Sequence, residues 1–210
     1  KSMALSEAMS QSSDYYRQQL RNARPAIDYL KRRGLSGEIA AKFWIGYAPD
    51  GWDNLKSVFP DYEASALVEA GLVIDRSDED GGSRKRYDRF RDRIMFPIRS
   101  VQGEVIGFGG RVLDDSKPKY INSPETPLYD KSNILFGYDR AKRMIREQNF
   151  TVLVEGQMDL IMSHQAGIKN TVAASGTALA DSDKDKSGVI NNLGLLRRLS
   201  SNVIVAFDSD

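Results

Sequence analysis

Thr151-Val152-Leu153-Val154-Glu155-Gly156-Gln157-Met158-Asp159 is the stretch that decides how this chain folds. Four β-branched or aliphatic residues end on a carboxylate and a glycine, and a helix-forming run follows. A short apolar run of this length, bounded by a turn signal, reads as a buried strand. Gly156 lets the backbone turn sharply from strand to helix and leaves Glu155 at the strand end. Working outward, residues 139–148 read as a helix before the strand and residues 158–166 as a helix after it. Residues 170–174 read as the next strand. Residues 189–199 read as an amphipathic helix with Val189, Ile190, Leu193, Leu196 and Leu199 as its core stripe, and residues 203–207 as a further strand. Strands alternating with helices of this length predict a parallel sheet with crossover connections.

Upstream the periodicity changes. Residues 4–22 are helix-compatible, Pro25 suits the first position of a second helix, and Gly34 suits its end. Ser36 caps a third short helix carrying Ile39, Ala40, Phe43 and Trp44. Two more short helices are expected near residues 52–59 and 62–70, the last closed by Gly71. Phe43, Trp44 and Trp52 are expected to pack this helical part. Residues 72–74, 94–98 and 105–108 read as strands, the last two joined by a turn at residues 101–104. Residues 78–83 and 182–187 read as polar loops, and residues 114–133 as a loop with Pro118, Pro124 and Pro127. The expected fold is an α+β N-terminal subdomain of helices plus antiparallel strands, residues 1–138, followed by an α/β unit with a parallel sheet, residues 139–210.

Composition bounds the chemistry. The 210 residues are 40% apolar and 28% charged, an ordinary globular balance. No cysteine is present, which excludes disulfides, thiol nucleophiles and a zinc ribbon in this chain. A single histidine, His164, argues against a multi-histidine metal site and reads as a surface or partly packed residue. No apolar run approaches the ~20 residues that span a bilayer, and no signal-peptide pattern opens the chain, so a cytoplasmic protein without membrane contact is expected. Net charge is only +1, yet residues 84–93 hold six basic side chains against Asp88 and Asp92. Local density of this kind is what phosphate binding uses, although an alternating-charge solvated strand reads the same way.

Two acidic groups fall at the ends of predicted strands: Glu155 with Asp159 one helical turn on, and Asp208-Ser209-Asp210. In an open parallel sheet, ligands gather at the carboxyl ends of strands. Neighbouring strands lie ~4.8 Å apart, so carboxylates at adjacent ends can share an ion. An all-carboxylate set suits Mg²⁺ or Mn²⁺. Each motif alone reads more readily as a helix cap or a solvated loop, Glu155-Gly156 most of all; the pair on separate strands favours a metal site. Gly107-Phe108-Gly109-Gly110-Arg111 lacks the following helix that a phosphate-binding glycine loop needs, so it reads as a glycine-kinked strand or bulge.

The spacing Glu155-Gly156-x-x-Asp159, then Ser175-Gly176-Thr177, then Asp208-x-Asp210 resembles the Toprim domain of bacterial primases, topoisomerases and some nucleases. Upstream, Arg33-Gly34-Leu35, Ile45-Gly46-Tyr47-Ala48-Pro49, the run from Tyr87 to Ile98, the Gly107–Arg111 segment and Pro118-Lys119-Tyr120-Ile121-Asn122-Ser123-Pro124-Glu125-Thr126 resemble the RNA-polymerase core of a bacterial DNA primase. The resemblance runs from about residue 14 to residue 210. It implies a metal site at Glu155, Asp159, Asp208 and Asp210, with two or more Mg²⁺ or Mn²⁺ ions and with Glu155, Asp208 and Asp210 as catalytic residues. Glu155 as a general base or acid stays open beside ligation. It implies a template and nucleotide groove at Arg33, Arg89, Arg91, Arg111, Lys119, Tyr120, Asn122 and Lys131. The implied partners are a single-stranded DNA template and ribonucleoside triphosphates, with the replicative helicase of the primosome contacting a region absent here. A monomer is expected. A Toprim nuclease or topoisomerase fragment and a non-catalytic DNA-binding module are the competing expectations. Against the family pattern, acidic residues and a helical subdomain beyond Asp210 are missing, as is the preceding zinc-binding domain. A truncated fragment with weak primase activity is therefore expected.

Overall fold

The structure is a computed structural model that describes residues 3–77, 85–176, 179 and 191–209. Thr177, Val189, Ile190, Asp210 and the polar segments at 78–83 and 182–187 lie outside the described residues. The chain forms two compact units, one of Lys1–Ile98 with Glu104–Tyr129 and the other of Arg99–Gly103 with Asp130–Asp210. Among the described residues no helix is long and apolar enough to cross a membrane.

The first unit opens with three helices, α1 (Leu5–Asn22), α2 (Arg24–Arg32) and α3 (Gly37–Lys42). Pro25 sits in the first turn of α2, and Gly34 takes φ +84° just past its end, a left-handed conformation that glycine adopts without strain. Ser36 Oγ accepts the Ile39 N–H at 3.1 Å and caps α3. Strand β1 (Gly46–Ala48) follows, then a short 3₁₀ turn (Asn54–Ser57), α4 (Ser65–Glu69), β2 (Val73–Asp75), β3 (Arg86–Asp88), β4 (Arg93–Arg99), β5 (Val105–Val112) and β6 (Tyr120–Asn122). Their order is β1-β4-β5-β6 in one sheet, with β2 and β3 paired antiparallel apart from it. Helix α1 lies on this sheet through Ala8, Met9 and Tyr16. The Tyr16 ring meets Phe108 edge-on at 5.2 Å, and Phe90, Met95 and Phe108 are almost wholly buried beside it. Each such side chain contributes roughly 1.5–3 kcal/mol by burial. Gly46 is required for the approach: a Cβ there would stand 2.6 Å from the Tyr16 backbone.

β5 keeps a regular register with β6 across its glycines, Gly109 opposite Asn122, Gly110 opposite Ile121 and Arg111 opposite Tyr120, with no bulge there. All eight residues of Val105–Val112 are buried in one continuous strand. A Cβ on Gly110 would meet Phe90 at 3.0 Å and Arg93 at 3.1 Å, and one on Gly107 would meet Ser123 at 3.2 Å. The glycines clear room for side chains crossing the sheet, which the expected bulge does not do. Two other expectations change. The segment near 52–59 closes into the short 3₁₀ turn, and Trp52 is 42% exposed instead of packing the helical part.

Asp88 holds this turn in place. Its carboxylate, 2% exposed, accepts the Leu55 N–H at 3.1 Å and the Tyr62 hydroxyl at 2.9 Å, drawing the turn onto β3. Burial pushes the Asp88 carboxyl up to about 6 against the lowering effect of the Tyr62 hydroxyl and the backbone N–H groups. Unfolded aspartate titrates near ~3.9, so the folded state holds this proton more tightly. The Asp88 contribution to stability is therefore full below about pH 4 and declines as pH rises to about 6. Asp88→Asn keeps an acceptor for Leu55 and cannot ionise. It is expected to flatten that decline by roughly 2–3 kcal/mol between pH 4 and pH 7 in denaturant titrations. Parallel pH profiles in the two proteins would contradict this.

The second unit contains a short 3₁₀ turn (Lys131–Asn133), α5 (Tyr138–Gln148), β7 (Thr151–Val154), α6 (Gln157–Gln165), β8 (Thr171–Ala173), α7 (Asn192–Leu199) and β9 (Val203–Ala206). The sheet is parallel with order β8-β7-β9, so β7 is central. Leu135, Ala141, Ile145, Leu153, Val172 and Leu196 form its core, with Leu193 and Leu199 packed partly against them. His164 belongs to this packing: it is 7% exposed, its Nε2 lies 2.9 Å from the Thr171 carbonyl oxygen, and burial lowers its pKa. It is a structural residue. Strand β9 is open, with Ile204 54% and Val205 58% exposed.

Candidate functional site

Glu155 and Asp208 stand at the same end of two adjacent parallel strands. Val154 pairs with Ala206 in the β7–β9 register, so Glu155 is the next residue along β7 and Asp208 lies two past the end of β9. The Glu155 backbone is held from the other side, where the Ser175 N–H donates to its carbonyl at 2.6 Å. Ser175 and Gly176 take positive φ, +44° and +75°, and turn the chain away from the strand end after β8. Asp159 is in the first turn of α6, and its Oδ2 lies 3.4 Å from where a Cβ on Gly156 would be. Glu155, Asp159 and Asp208 are all exposed. Among the described residues none of the three makes an ion pair, so their charges are unneutralised. Nor do any three Asp, Glu or His side chains among them form a group able to hold an ion unaided. Asp210 lies outside the described residues. Beside Glu155, Gln157 is 1% exposed, and neither polar atom of its carboxamide has a partner among the described residues.

The basic residues of the first unit fall into two arrangements. In the first, Arg111 is 7% exposed and its guanidinium lies 4.7 Å from the Tyr29 ring centre and 5.6 Å from that of Tyr120. Its Nε has no hydrogen-bond partner, and no described carboxylate pairs with it. Its Nη1 donates to the Val112 carbonyl, but a buried cation without a counter-ion costs several kcal/mol, which this bond and two aromatic faces offset only in part. The arrangement suits an anionic ligand. Arg33 joins the same stack, its Nη1 donating to the Tyr29 hydroxyl at 3.0 Å. Tyr120 remains 40% exposed, with ring surface for a base to cover.

In the second arrangement, Arg89, Arg91 and Arg93 line a cleft of ≈ 390 Å³ with Pro118 and Ile121. Arg89 is half-buried and donates to the Asn122 carbonyl at 3.3 Å. Arg91 is committed locally: its guanidinium lies 4.3 Å from the Trp52 ring centre and donates to the Asp88 carbonyl at 2.6 Å. Arg93, 9% exposed, donates to the carbonyls of Gly110, Pro118 and Lys119 at 3.1, 2.9 and 3.3 Å. It pins the exposed loop that carries Lys119 into Tyr120. Burial lowers the pKa of both Arg89 and Arg93. Lys131, in the Lys131–Asn133 turn, belongs to the second unit.

Tyr29 and the anchoring role of Arg93 went unread in the sequence. Tyr29 lies four residues before Arg33 on one helix face, a spacing the sequence does show. Its contact with Arg111 is made only by the fold.

Residues 15–142 match the family described as DNA primase catalytic core, N-terminal domain, and residues 149–210 match the Toprim domain. A DNA primase from Neisseria meningitidis is 46% identical over 198 residues, covering 94% of this chain and 31% of that protein. One from Legionella pneumophila is 46% identical over 211 residues, covering 100% of this chain and 34% of that protein. The chain thus spans about a third of the length of the curated relatives it matches. The crystal structure of a DNA primase domain from Pseudomonas aeruginosa aligns with TM-score 0.84 at 43% identity, covering 99% of this chain and 62% of that one. A primase catalytic domain bound to single-stranded DNA aligns with TM-score 0.82 at 41% identity, covering 98% and 61%.

Proposed function

The chain belongs to the DNA primase catalytic-core family, and from that membership we propose that it joins ribonucleotides into short RNA primers on a single-stranded DNA template by metal-dependent nucleotidyl transfer. The observation that carries the chemistry is the pair Glu155 and Asp208 at the same end of adjacent parallel strands, exposed and unpaired. An all-oxygen, unneutralised donor set is the kind that Mg²⁺ or Mn²⁺ takes, and these ions accept waters and substrate phosphates as their remaining ligands. Glu155 and Asp208, with Asp159 and Asp210, would hold the ions. When bound, such ions lower the charge on the reacting phosphate and acidify the attacking hydroxyl.

The first unit supplies positioning. Arg111 and Arg33 present fixed guanidinium groups to phosphate, and the open face of Tyr120 stacks a base of any sequence. Arg89 adds charge in the cleft that it lines with Arg93, where Asp92 is the one acidic lining residue among those described, and Lys119 adds charge on the adjoining loop. Backbone charge combined with stacking suits an enzyme that must accept many template sequences. The single-stranded DNA in the related primase catalytic domain supports this reading.

Two measurements test it. Primer synthesis from ribonucleoside triphosphates on a mixed single-stranded template is expected in Mg²⁺ or Mn²⁺ and is expected to vanish in chelator. Absence of synthesis, both from this chain and from a version extended to its relatives' length, would remove the catalytic half. For the binding half, Arg89→Ala, Arg111→Ala and Lys119→Ala should each lower the salt slope of DNA affinity by roughly 0.7–1 unit for every phosphate the side chain neutralises. Mixed sequences should weaken about equally. Unchanged affinity and slope in all three variants would remove the binding half.

A further inference from the structure

The first unit holds a cavity of ≈ 350 Å³ among α1, α2, α3 and the start of β1, and none of Glu155, Asp159, Asp208 and the groove residues lines it. Its floor is aliphatic: Leu20, Ile27, Leu30, Leu35 and Ile45. Its rim is cationic. Arg17 and Arg21 lie one helical turn apart on α1, and Lys31 enters from α2. Among the described residues no acidic side chain lines it. Arg21 and Lys31 are exposed, while Arg17 rests 5.3 Å from the Trp44 ring centre and 4.0 Å from the Asp14 carboxylate. At Gly37, on the cavity wall, a Cβ would meet nothing within 4 Å.

We propose that this cavity is a docking site for an acidic partner protein segment, with one or two large apolar side chains filling the floor and flanking carboxylates meeting Arg17, Arg21 and Lys31. The volume lies at the small end of the range in which proteins enclose ligands, ~300–1,000 Å³, and suits one or two side chains. Charge complementarity selects an anionic partner. The floor excludes a nucleic-acid base as the buried group. It offers no aromatic face for stacking, and it would leave the donors and acceptors of the base edge unpaired. An aliphatic or phenyl side chain has no such groups to satisfy. Rim charges one helical turn apart, ~5.4 Å, match acidic side chains spaced along a peptide.

The test uses a fluorescein-labelled peptide in which a leucine–phenylalanine pair is flanked on each side by two aspartates, titrated into the full chain by anisotropy. Binding is expected to fall at least fivefold when the two anchors become serine, and to weaken steadily with salt. Arg21→Glu reverses an exposed rim charge and should weaken the peptide at least fivefold. Ala41→Phe, at an exposed wall position, should block it. Both variants should bind oligo(dT) as the parent does, which also shows that they are folded. Trp44 fluorescence should respond to the peptide through its contact with Arg17. Equal peptide affinity in parent, Arg21→Glu and Ala41→Phe would overturn the proposal. So would competition by oligo(dT) together with loss of oligo(dT) binding in Arg21→Glu, because the rim would then belong to the nucleic-acid surface.

Discussion

Glu155→Gln should lower primer synthesis by at least ~100-fold while changing affinity for single-stranded DNA less than twofold. The substitution keeps shape and volume and removes one charge at the end of β7. It touches none of the DNA-binding residues assigned to the first unit, and at so exposed a position it should leave Tm unchanged, which separates loss of chemistry from loss of fold. A second readout separates the two roles open to Glu155. As an ion ligand, its loss should weaken Mn²⁺ binding measured by electron paramagnetic resonance about tenfold, with the pH profile of the remaining activity unmoved. As a proton acceptor, its loss should leave Mn²⁺ binding intact and abolish the acid limb of that profile. Activity within threefold of the parent would sink the assignment of this strand end as the reacting centre.

Arg93→Ala is expected to cost about 3 kcal/mol, a fall of roughly 10 °C in Tm, although Arg93 reads in the sequence as one more member of a basic run. Its guanidinium is the donor for the carbonyls of Gly110, Pro118 and Lys119, and truncation removes all three of these charge-assisted bonds, leaving the Lys119 carbonyl only the Val112 N–H. Lysine should restore less than half of the loss, because a single ammonium cannot reproduce a planar fork aimed at three acceptors. The loop bearing Lys119 and Tyr120 should loosen, so DNA affinity should drop. The salt slope should stay within about half a unit, since the side chain that goes neutralises no phosphate. A slope that falls by a full unit, with stability unchanged, would show that Arg93 binds phosphate directly and does not anchor the loop.

The difference between those two residues shows what was legible beforehand. The parallel unit was readable because β7, α6, β8, α7 and β9 carry their own periodicity, and strands joined by crossover helices run parallel; that β9 pairs with β7 and not with β8, its predecessor in the chain, was not readable. That placed Glu155 and Asp208 at one end of the sheet from sequence order alone. The first unit depends on partners remote in the chain. Gly46–Ala48 and Tyr120–Asn122 are too short to show a period and become strands only through pairing with β4 and β5. The segment expected as a helix near 52–59 is tied down by Asp88, thirty-three residues from Leu55, whose carboxylate accepts the Leu55 N–H, a contact with no local trace in the sequence. The same dependence hid the destination of Arg91 on Trp52 and of Arg111 on Tyr29, since a basic residue in a sequence does not declare whether an aromatic ring or a phosphate will meet it.

The strand order β8-β7-β9 also sets a timetable. Thr151 pairs with Val203, so the central strand is made about fifty residues before its outer partner exists. At bacterial-like synthesis rates of ~5–20 residues per second, that gap lasts roughly 3–10 s. The pairing strands of the antiparallel sheet all precede residue 123, and that sheet can close while the ribosome is still writing the second unit. During the interval the hydrogen-bonding edge of β7 that β9 will cover is open to strands of other chains, the exposure that leads to misassociation. Codon-level slowing between residues 154 and 203 should therefore lower soluble yield, and faster passage through the same interval should raise it.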